Sequence, residues 1–595
     1  MCGIAAIFNY SNAPLKVDGE ELLRVRDRMI TRGPDGAGIW LSDDGKVGLA
    51  HRRLAIIEVG SAGAQPMSLK DGIGNIRLEI SFNGEIYNYL ELKNELIGKG
   101  RRFDTNSDTE VLLQLYDEYG PDMVYRLRGM FAFVIWDVEK KGMFLARDPY
   151  GIKPLYYSDN GNTLRLASQV KALLSGGAIS QAPNPAGHIG FFTLGYVPEP
   201  HTMYRDIYSL SAGTYAWFDC TGKKEFNTYF CLRKEMIKLE KQNLDVVPFN
   251  LRNALLESVE HHLVSDVPVG VFLSAGLDSS SILAYASEIS TGSIETITLN
   301  FDEFSGSHAD ESPLAKEVAG LFQSNHHAST IDAEDFSTIK SSLIESMDQP
   351  SIDGVNTYFV AREASRKGLK VALSGVGGDE IFGGYDTFKQ VPSIVKNIGW
   401  IPGIRNFGRV FRKISGPLLK QLTSPKYASL FEYSSDYGSA YILRRGLFLP
   451  WELPEFLDKT FVEEGWKNLN LNNMVNESID GISLPKNKVS VLESQWYMKN
   501  QLLRDADWAG MAHSCEIRTP LIDSFLFKKI AGRAFNKTDM AGGLKRPLPN
   551  KLINRPKSGF AIPVHDWILS GRTDEVVDRG IRGWAKIVYK ENFVT

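Results

Sequence analysis

Val267-Pro268-Val269-Gly270-Val271-Phe272-Leu273-Ser274-Ala275-Gly276-Leu277-Asp278-Ser279-Ser280 is the stretch whose reading decides the fold. An apolar strand-like run, Val267 to Leu273, enters a turn of small residues and continues into the helix-like Ser279 to Ile289. Small residues let backbone N–H groups approach an anion, and the following helix directs its positive end at it. Asp278 would repel a phosphate unless a magnesium ion lay between them. Thr296 to Phe301 reads as the next strand. Lys370 to Leu373 then opens a second turn, Ser374-Gly375-Val376-Gly377-Gly378-Asp379-Glu380, again with acids. Repeated strand, turn and helix predicts a doubly wound parallel sheet whose two turns converge on one crevice. No stretch carries the Gly-Lys-Ser/Thr ending of a Walker A loop, which argues against ordinary P-loop transfer.

Downstream of about Pro392 the pattern is mostly helical and shows no internal repeat. Upstream, the first ~215 residues follow a different grammar. Short strand-like runs (Ile4 to Phe8, Val47 to Ala50, Ile76 to Phe82, Met130 to Trp136, Gly142 to Ala146) alternate with helical stretches such as Glu20 to Met29 and Thr109 to Tyr119. That pattern predicts an α+β layered domain. The charged Arg233 to Asn243 reads as exposed linker. The expected division is a first domain over 2–215, a linker over 216–245 and a second domain over 246–595.

A chain of 595 residues exceeds what one core usually supports. With 67 basic against 71 acidic residues, neither sign dominates, so neither a nucleic-acid nor a membrane partner is expected. No apolar run approaches the ~18–20 residues of a membrane helix, and Met1-Cys2-Gly3-Ile4 lacks the features of a secretory signal. Four cysteines, Cys2, Cys220, Cys231 and Cys515, are too sparse for a disulfide framework, so a cytoplasmic setting is expected.

Cys2 would, after removal of Met1, carry a thiol and a free α-amine on one residue. An amine with a reference pKa of about 7.7–8.0 is a competent base for a thiol of about 8.5. A single cysteine is more often an inert packing residue, so the reading needs a substrate site around it. Candidates are present. Arg32-Gly33-Pro34-Asp35 carries a cation and a carboxylate, and Arg53 ends a strand-like run with a guanidinium suited to a carboxylate. Asn83 and Gly84 could receive an oxyanion, and Asp108, after Ser107, could receive an ammonium. The blander alternatives are an exposed basic pair, a hairpin turn and a capping box.

Met1-Cys2-Gly3-Ile4, Arg32-Gly33-Pro34-Asp35, Arg53-Leu54-Ala55-Ile56, Asn83-Gly84-Glu85-Ile86-Tyr87-Asn88 and Gly129-Met130-Phe131-Ala132-Phe133 together resemble the class II glutamine amidotransferase domain. The resemblance implies the N-terminal-nucleophile hydrolase fold, two sheets sandwiched between helices. It implies Cys2 as nucleophile, Arg53 and Asp108 as glutamine ligands, and Asn83 with Gly84 as oxyanion hole. Arg147-Asp148 and Gly151-Ile152-Lys153-Pro154-Leu155-Tyr156 match it too, for packing rather than chemistry.

The turn at Ser274 resembles the pyrophosphatase loop of adenylating enzymes, with Ala275 in place of a glycine. The second turn with Phe382-Gly383-Gly384-Tyr385 resembles the asparagine synthetase B family. So do Met511-Ala512-His513-Ser514, Glu516-Ile517-Arg518-Thr519-Pro520-Leu521-Ile522-Asp523 and Arg555-Pro556-Lys557-Ser558-Gly559-Phe560. The resemblance spans about residues 2 to 570 and implies an adenine nucleotide α-hydrolase-like second domain with extra helices. By it, ATP is held by Leu273, Ser274, Gly276, Asp278, Ser279, Leu299, Ser374, Gly375 and Asp379. Magnesium is held by Asp278 and Asp379, and Lys545 is the catalytic lysine. Ammonia from L-glutamine would pass inside the protein to a small carboxylate activated as its acyl-adenylate, giving amide, AMP, pyrophosphate and glutamate. Val376 stands where aspartate-amidating members usually have Glu. Aspartate is the first expectation for the acceptor and a uronic acid of a surface polysaccharide the alternative. A non-catalytic scaffold of the same fold is a further reading, against which the intact Cys2 set argues. The resemblance leaves room for a homodimer.

Overall fold

The computed structural model describes residues 2–10, 16–242, 249–307, 310–422, 424–555, 563, 567 and 580–593, with side chains left out at 417–422. The first half folds into two six-stranded sheets, antiparallel throughout. One sheet runs Tyr208–Ser209, Tyr156–Asp159, Thr163–Ala167, Gly3–Asn9 (β1), Val47–Arg53 (β2) and Gly36–Leu41. The other runs Lys224–Thr228, Thr214–Asp219, Gly142–Arg147, Gly129–Asp137, Ile76–Ile86 (β3) and Met67–Lys70.

Alternation along the strands makes the sandwich. Ile4, Ala6 and Phe8 of β1 and Leu49 of β2 meet Val134, Leu145 and Phe218 of the second sheet. The intervening Ala5 and Ile7 point the other way, onto Leu22 and Val25 of the helix Gly19–Asp27. The outer face of the second sheet is covered by Tyr89–Gly98 and Asp108–Tyr119 (α1), whose Val111, Leu112 and Leu115 pack on Phe82, Phe131 and Phe133. Each such side chain, fully buried, contributes about 1.5–3 kcal/mol. The result is helix, sheet, sheet, helix, as the sequence leads one to expect.

The second half holds a five-stranded sheet in the order Asn325–Ile331, Glu295–Phe301, Val269–Phe272 (β4), Val371–Leu373 (β5) and Glu516–Arg518, with every pair parallel. The chain builds outward from β4 in one direction, then returns to add β5 on its other side. The order therefore reverses between β4 and β5, and a crevice opens at their carboxyl ends. Leu277–Ile289 (α2) follows β4. Much of the rest is helical, including Ile404–Leu422 (α3) and Leu503–Ala512 (α4). Among the described residues no helix is long and apolar enough to cross a membrane.

The segment 216–245, expected as linker, differs. Thr214–Asp219 pairs with Gly142–Arg147, and Phe218 is buried inside the sandwich. Leu232–Lys241 is a helix whose Leu232, Met236 and Leu239 face the core. Its charges occupy the outer face of an amphipathic helix, which by composition alone looks like a solvated connector. Residues 243–248 lie outside the described set.

Candidate active sites

The first site forms where β1, β2 and β3 come together. Cys2 precedes β1 and is buried; its backbone N–H donates to Asn83 Oδ1 at 2.8 Å, and its Sγ lies 4.0 Å from the Leu54 carbonyl. Burial pushes the thiol above its ordinary range, so a thiolate needs a base beside it. Asn83 is fully buried, and its Nδ2 has no partner among the described residues. A buried donor without an acceptor is costly, which marks it as waiting for a ligand. The Asn-Gly pair is not a hairpin turn. Both residues continue β3, opposite Ala132 and Phe131. Gly84 takes φ 154°, and a Cβ there would stand 2.1 Å from the Met130 carbonyl oxygen.

Ser107 caps α1 by accepting from the Thr109 N–H, but the reciprocal half of a capping box does not form: Glu110 accepts from the Asp104 and Thr105 N–H groups instead. The Ser107 cap sets Asp108 at the first turn, buried, with Oδ2 accepting from the Ile86 N–H at 3.1 Å. Burial raises the Asp108 carboxyl to about 7. Arg53 ends β2 with its guanidinium fixed by the carbonyls of Ile57, Glu58 and Gly60. The structure thus gathers Cys2, Arg53, Asn83, Gly84 and Asp108 around one corner of the sandwich.

Arg32 and Asp35 do something else. Arg32 is fully buried; its Nε donates to the Cys2 carbonyl at 3.0 Å, and its two terminal nitrogens clasp Asp507 of α4 at 2.7 and 2.9 Å. Asp35 pairs with Lys370 at 2.8 Å. These residues join the two halves rather than line a pocket. Arg147 and Asp148 are structural as well. Arg147 donates to the carbonyls of Gly151, Lys153 and Leu210, and Asp148 accepts from the N–H groups of Tyr150, Ile152 and Lys153.

The second site is a cavity of about 460 Å³ at the crevice between β4 and β5. Leu273, Ser274, Gly276, Asp278, Ser279, Leu299, Ser374, Gly375 and Asp379 all line it. Ser274 and Ser279 close the first turn through their hydroxyls, 2.9 Å apart. Ala275 is absent from the positive-φ residues, so alanine is tolerated there. Asp278 and Asp379 arrive from separate turns, yet both pair with Lys537 Nζ, Asp278 at 2.6 Å. A Cβ at Gly378 would lie 2.5 Å from the Asp278 carboxylate, so that glycine makes the close approach.

Lys545, the lysine expected in the site, is exposed, with Nζ 3.5 Å from Glu288. The lysine that stands between the two loop carboxylates is Lys537. It is the first residue of the short helix Lys537–Gly542, capped by Asn536. The capping box Asn536 to Asp539 is the sequence signal that could have drawn attention to it. Of the motif beginning at Arg555, residues 556–560 lie outside the described set; Arg555 itself reaches Glu311 at 3.2 Å.

Two carboxylates from two loops, closing on one cation, suit a magnesium ion that takes its remaining ligands from a triphosphate. Among the described residues no group of three or more His, Cys, Asp or Glu could hold a metal without such help.

Residues 1–230 match the family described as glutamine amidotransferase domain, and residues 250–592 match asparagine synthase. The glutamine-hydrolysing asparagine synthetase 1 of Bacillus subtilis is 33% identical over 582 residues, 96% of this chain and 88% of that protein. Asparagine synthetase B of Escherichia coli is 34% identical over 412 residues, 66% of each chain. A protein named amidase chry2 from Gibberella zeae is 32% identical over 418 residues, covering 65% of this chain and 60% of that one. With both halves matched in order, and a relative of this identity along nearly its whole length, the chain belongs to the glutamine-hydrolysing asparagine synthetase family, ATP-using ligases with an amidotransferase domain.

Proposed function

We propose that this protein moves the amide nitrogen of glutamine onto a carboxylate that ATP has activated as its acyl-adenylate. The observation that carries the reading is Asn83, whose Oδ1 holds the Cys2 N–H while its buried Nδ2 has no partner among the described residues. In the mature chain the Cys2 amine takes the thiol proton, and the thiolate attacks the glutamine amide carbon. Asn83 Nδ2 and the Gly84 N–H receive the oxyanion. Ammonia leaves, and water hydrolyses the thioester to glutamate. Arg53 and Asp108 hold the α-carboxylate and α-ammonium.

At the second site an acceptor oxygen attacks the α-phosphorus of ATP, and pyrophosphate leaves toward Lys537. Asp278 and Asp379 would hold magnesium, which supplies charge neutralisation to the leaving group. Ammonia then attacks the acyl carbon and AMP departs. Adenylation is what turns a poor leaving oxygen into a good one.

For the acceptor, the names of the relatives point to aspartate. The cavity supports a second reading, a hydroxylated carboxylate such as a uronic acid. The wall beyond the two turns is formed by Asp353, Glu380, Asp505, Tyr385 and Tyr497, with Val376 beside them. Lys537 stands behind the two turns, paired with Asp278 and Asp379, and no Lys, Arg or His is among the described residues lining the cavity itself. Burial raises Glu380 to about 7, and burial with the neighbouring Asp353 raises Asp505. Such a wall brings no cation to a second carboxylate. It offers acceptors to hydroxyl groups and ring faces to a sugar's C–H surface. Incubation with ATP, glutamine and a panel of carboxylates, scored for pyrophosphate and new amide, decides between them. Turnover of sugar acids with aspartate ignored supports the second reading, and efficient use of aspartate alone removes it.

A further inference from the structure

The near balance of charge over the whole chain conceals a local excess. From Thr387 to Phe431 the sequence has eight Lys or Arg residues and neither Asp nor Glu, in a protein whose formal net charge is -4. This stretch contains α3. It also contains Trp400, Ile401, Phe407, Val410 and Ile414, all exposed large apolar side chains, of which Trp400 and Ile414 are 72% and 76% exposed.

The helix has two faces with different partners. Ile404 and Gly408 are buried, and Phe411 packs edge-on to Phe431 with ring centroids 5.0 Å apart. A Cβ on Gly408 would stand 2.3 Å from the Glu432 nitrogen, so this side is in close backbone contact with the protein. Arg409 and Arg412 both reach Glu432, the first acid after the basic stretch. Next to this side the surface is exposed, beginning at Phe407, which still touches Phe431 with ring centroids 5.6 Å apart. At 100° per residue, Phe407, Val410 and Ile414 fall within an arc of about 60°. Arg405, Arg409 and Lys413 follow one another at every fourth position, all exposed; by the same count Lys413 borders the stripe, while Arg409 and Arg405 lie round on the polar side of the helix.

We propose that α3 and the Trp400–Ile401 turn before it form a docking surface for an anionic lipid bilayer. The helix would lie in the plane of the interface, its apolar stripe in the acyl boundary and its cations among the headgroups. Charge decides the choice of occupant. A second copy would bring one acid-free basic stretch against another, whereas an anionic surface complements it. Attachment is peripheral, since among the described residues no helix can span a bilayer. The proposal is independent of the acceptor's identity and of the chemistry at Cys2.

The test is flotation of the full-length protein with phosphatidylcholine vesicles, with and without phosphatidylglycerol, at low and high salt. The protein is expected to float with the anionic vesicles at low salt and to be released as salt rises, with a blue shift of tryptophan emission on binding. Removing three cations together, Arg405→Gln, Arg409→Gln and Lys413→Gln, is expected to weaken binding about a hundredfold. Replacing Phe407, Val410 and Ile414 with Ser is expected to abolish the emission shift. Both variants should hydrolyse glutamine at the normal rate, which shows that they are folded. Failure to float with anionic vesicles at low salt overturns the proposal. So does self-association in sedimentation that the serine variant abolishes while lipid binding is absent.

Discussion

Asp108 makes a prediction about pH. Its buried carboxyl is held at about 7, so below that pH it is protonated and has no charge to offer the glutamine ammonium. The KM for glutamine should therefore rise as pH falls through 7, while kcat changes little. In Asp108→Asn the KM should be high throughout and that pH dependence should vanish. Lys537 makes another. Lys537→Ala should lower amide synthesis by about 10²–10³-fold, as loss of one charge-stabilising group does, with glutamine hydrolysis intact. Lys545→Ala should leave both activities within twofold, since Lys545 pairs only with Glu288 at the surface among the described contacts. Steady-state rates for the two half-reactions check all of this. The two lysines also show how far a residue can be read from sequence. Cys2, Asn83 and Asp278 are legible because each sits in a local pattern that has a chemical meaning. Lys537 meets Asp278 and Asp379 from more than 150 positions away, and no local pattern records that meeting.

At the scale of elements, strand-to-helix turns announce themselves and the ends of strands do not. The turns after β4 and β5 were visible from a run of apolar residues giving way to small ones. The Asn83-Gly84 pair reads equally well as a hairpin turn, and only its pairing with Ala132 and Phe131 shows that the strand continues. The strand must then tolerate Met130 against a missing Cβ. Gly84→Ala should cost about 1–3 kcal/mol of stability and lose glutamine hydrolysis, measurable by chemical unfolding and glutamate release. The helix Leu232–Lys241 was hidden for a related reason. Its composition is that of a linker, and only the spacing of Leu232, Met236 and Leu239 reveals a buried face.

The whole molecule is two folds held face to face by a shared apolar cluster, in which Phe192 meets Phe448 and Tyr589, and by buried ion pairs. Arg32 ties the Cys2 carbonyl to Asp507, and Arg128 reaches Asp523 at 2.7 Å and Glu257 at 2.8 Å. Arg32→Gln should leave Asp507 buried without its partner, at a cost of about 3–5 kcal/mol, and the double change Arg32→Met with Asp507→Leu should recover much of it. Thermal unfolding of the three proteins checks the order. None of this joint was legible in the sequence, where Arg32-Gly33-Pro34-Asp35 looks like part of a substrate pocket. Each fold could be read from its own half, but their relation is set by pairs hundreds of positions apart.

The central claim is that Cys2 supplies nitrogen and nothing else. The direct test is Cys2→Ala, assayed for ATP-dependent amide formation with glutamine and, separately, with ammonium salts. Amide formation from glutamine should be lost, while amide and pyrophosphate formation from ammonia should continue at the normal rate. Equal loss with both nitrogen sources, in a variant that is folded, would contradict the two-site account.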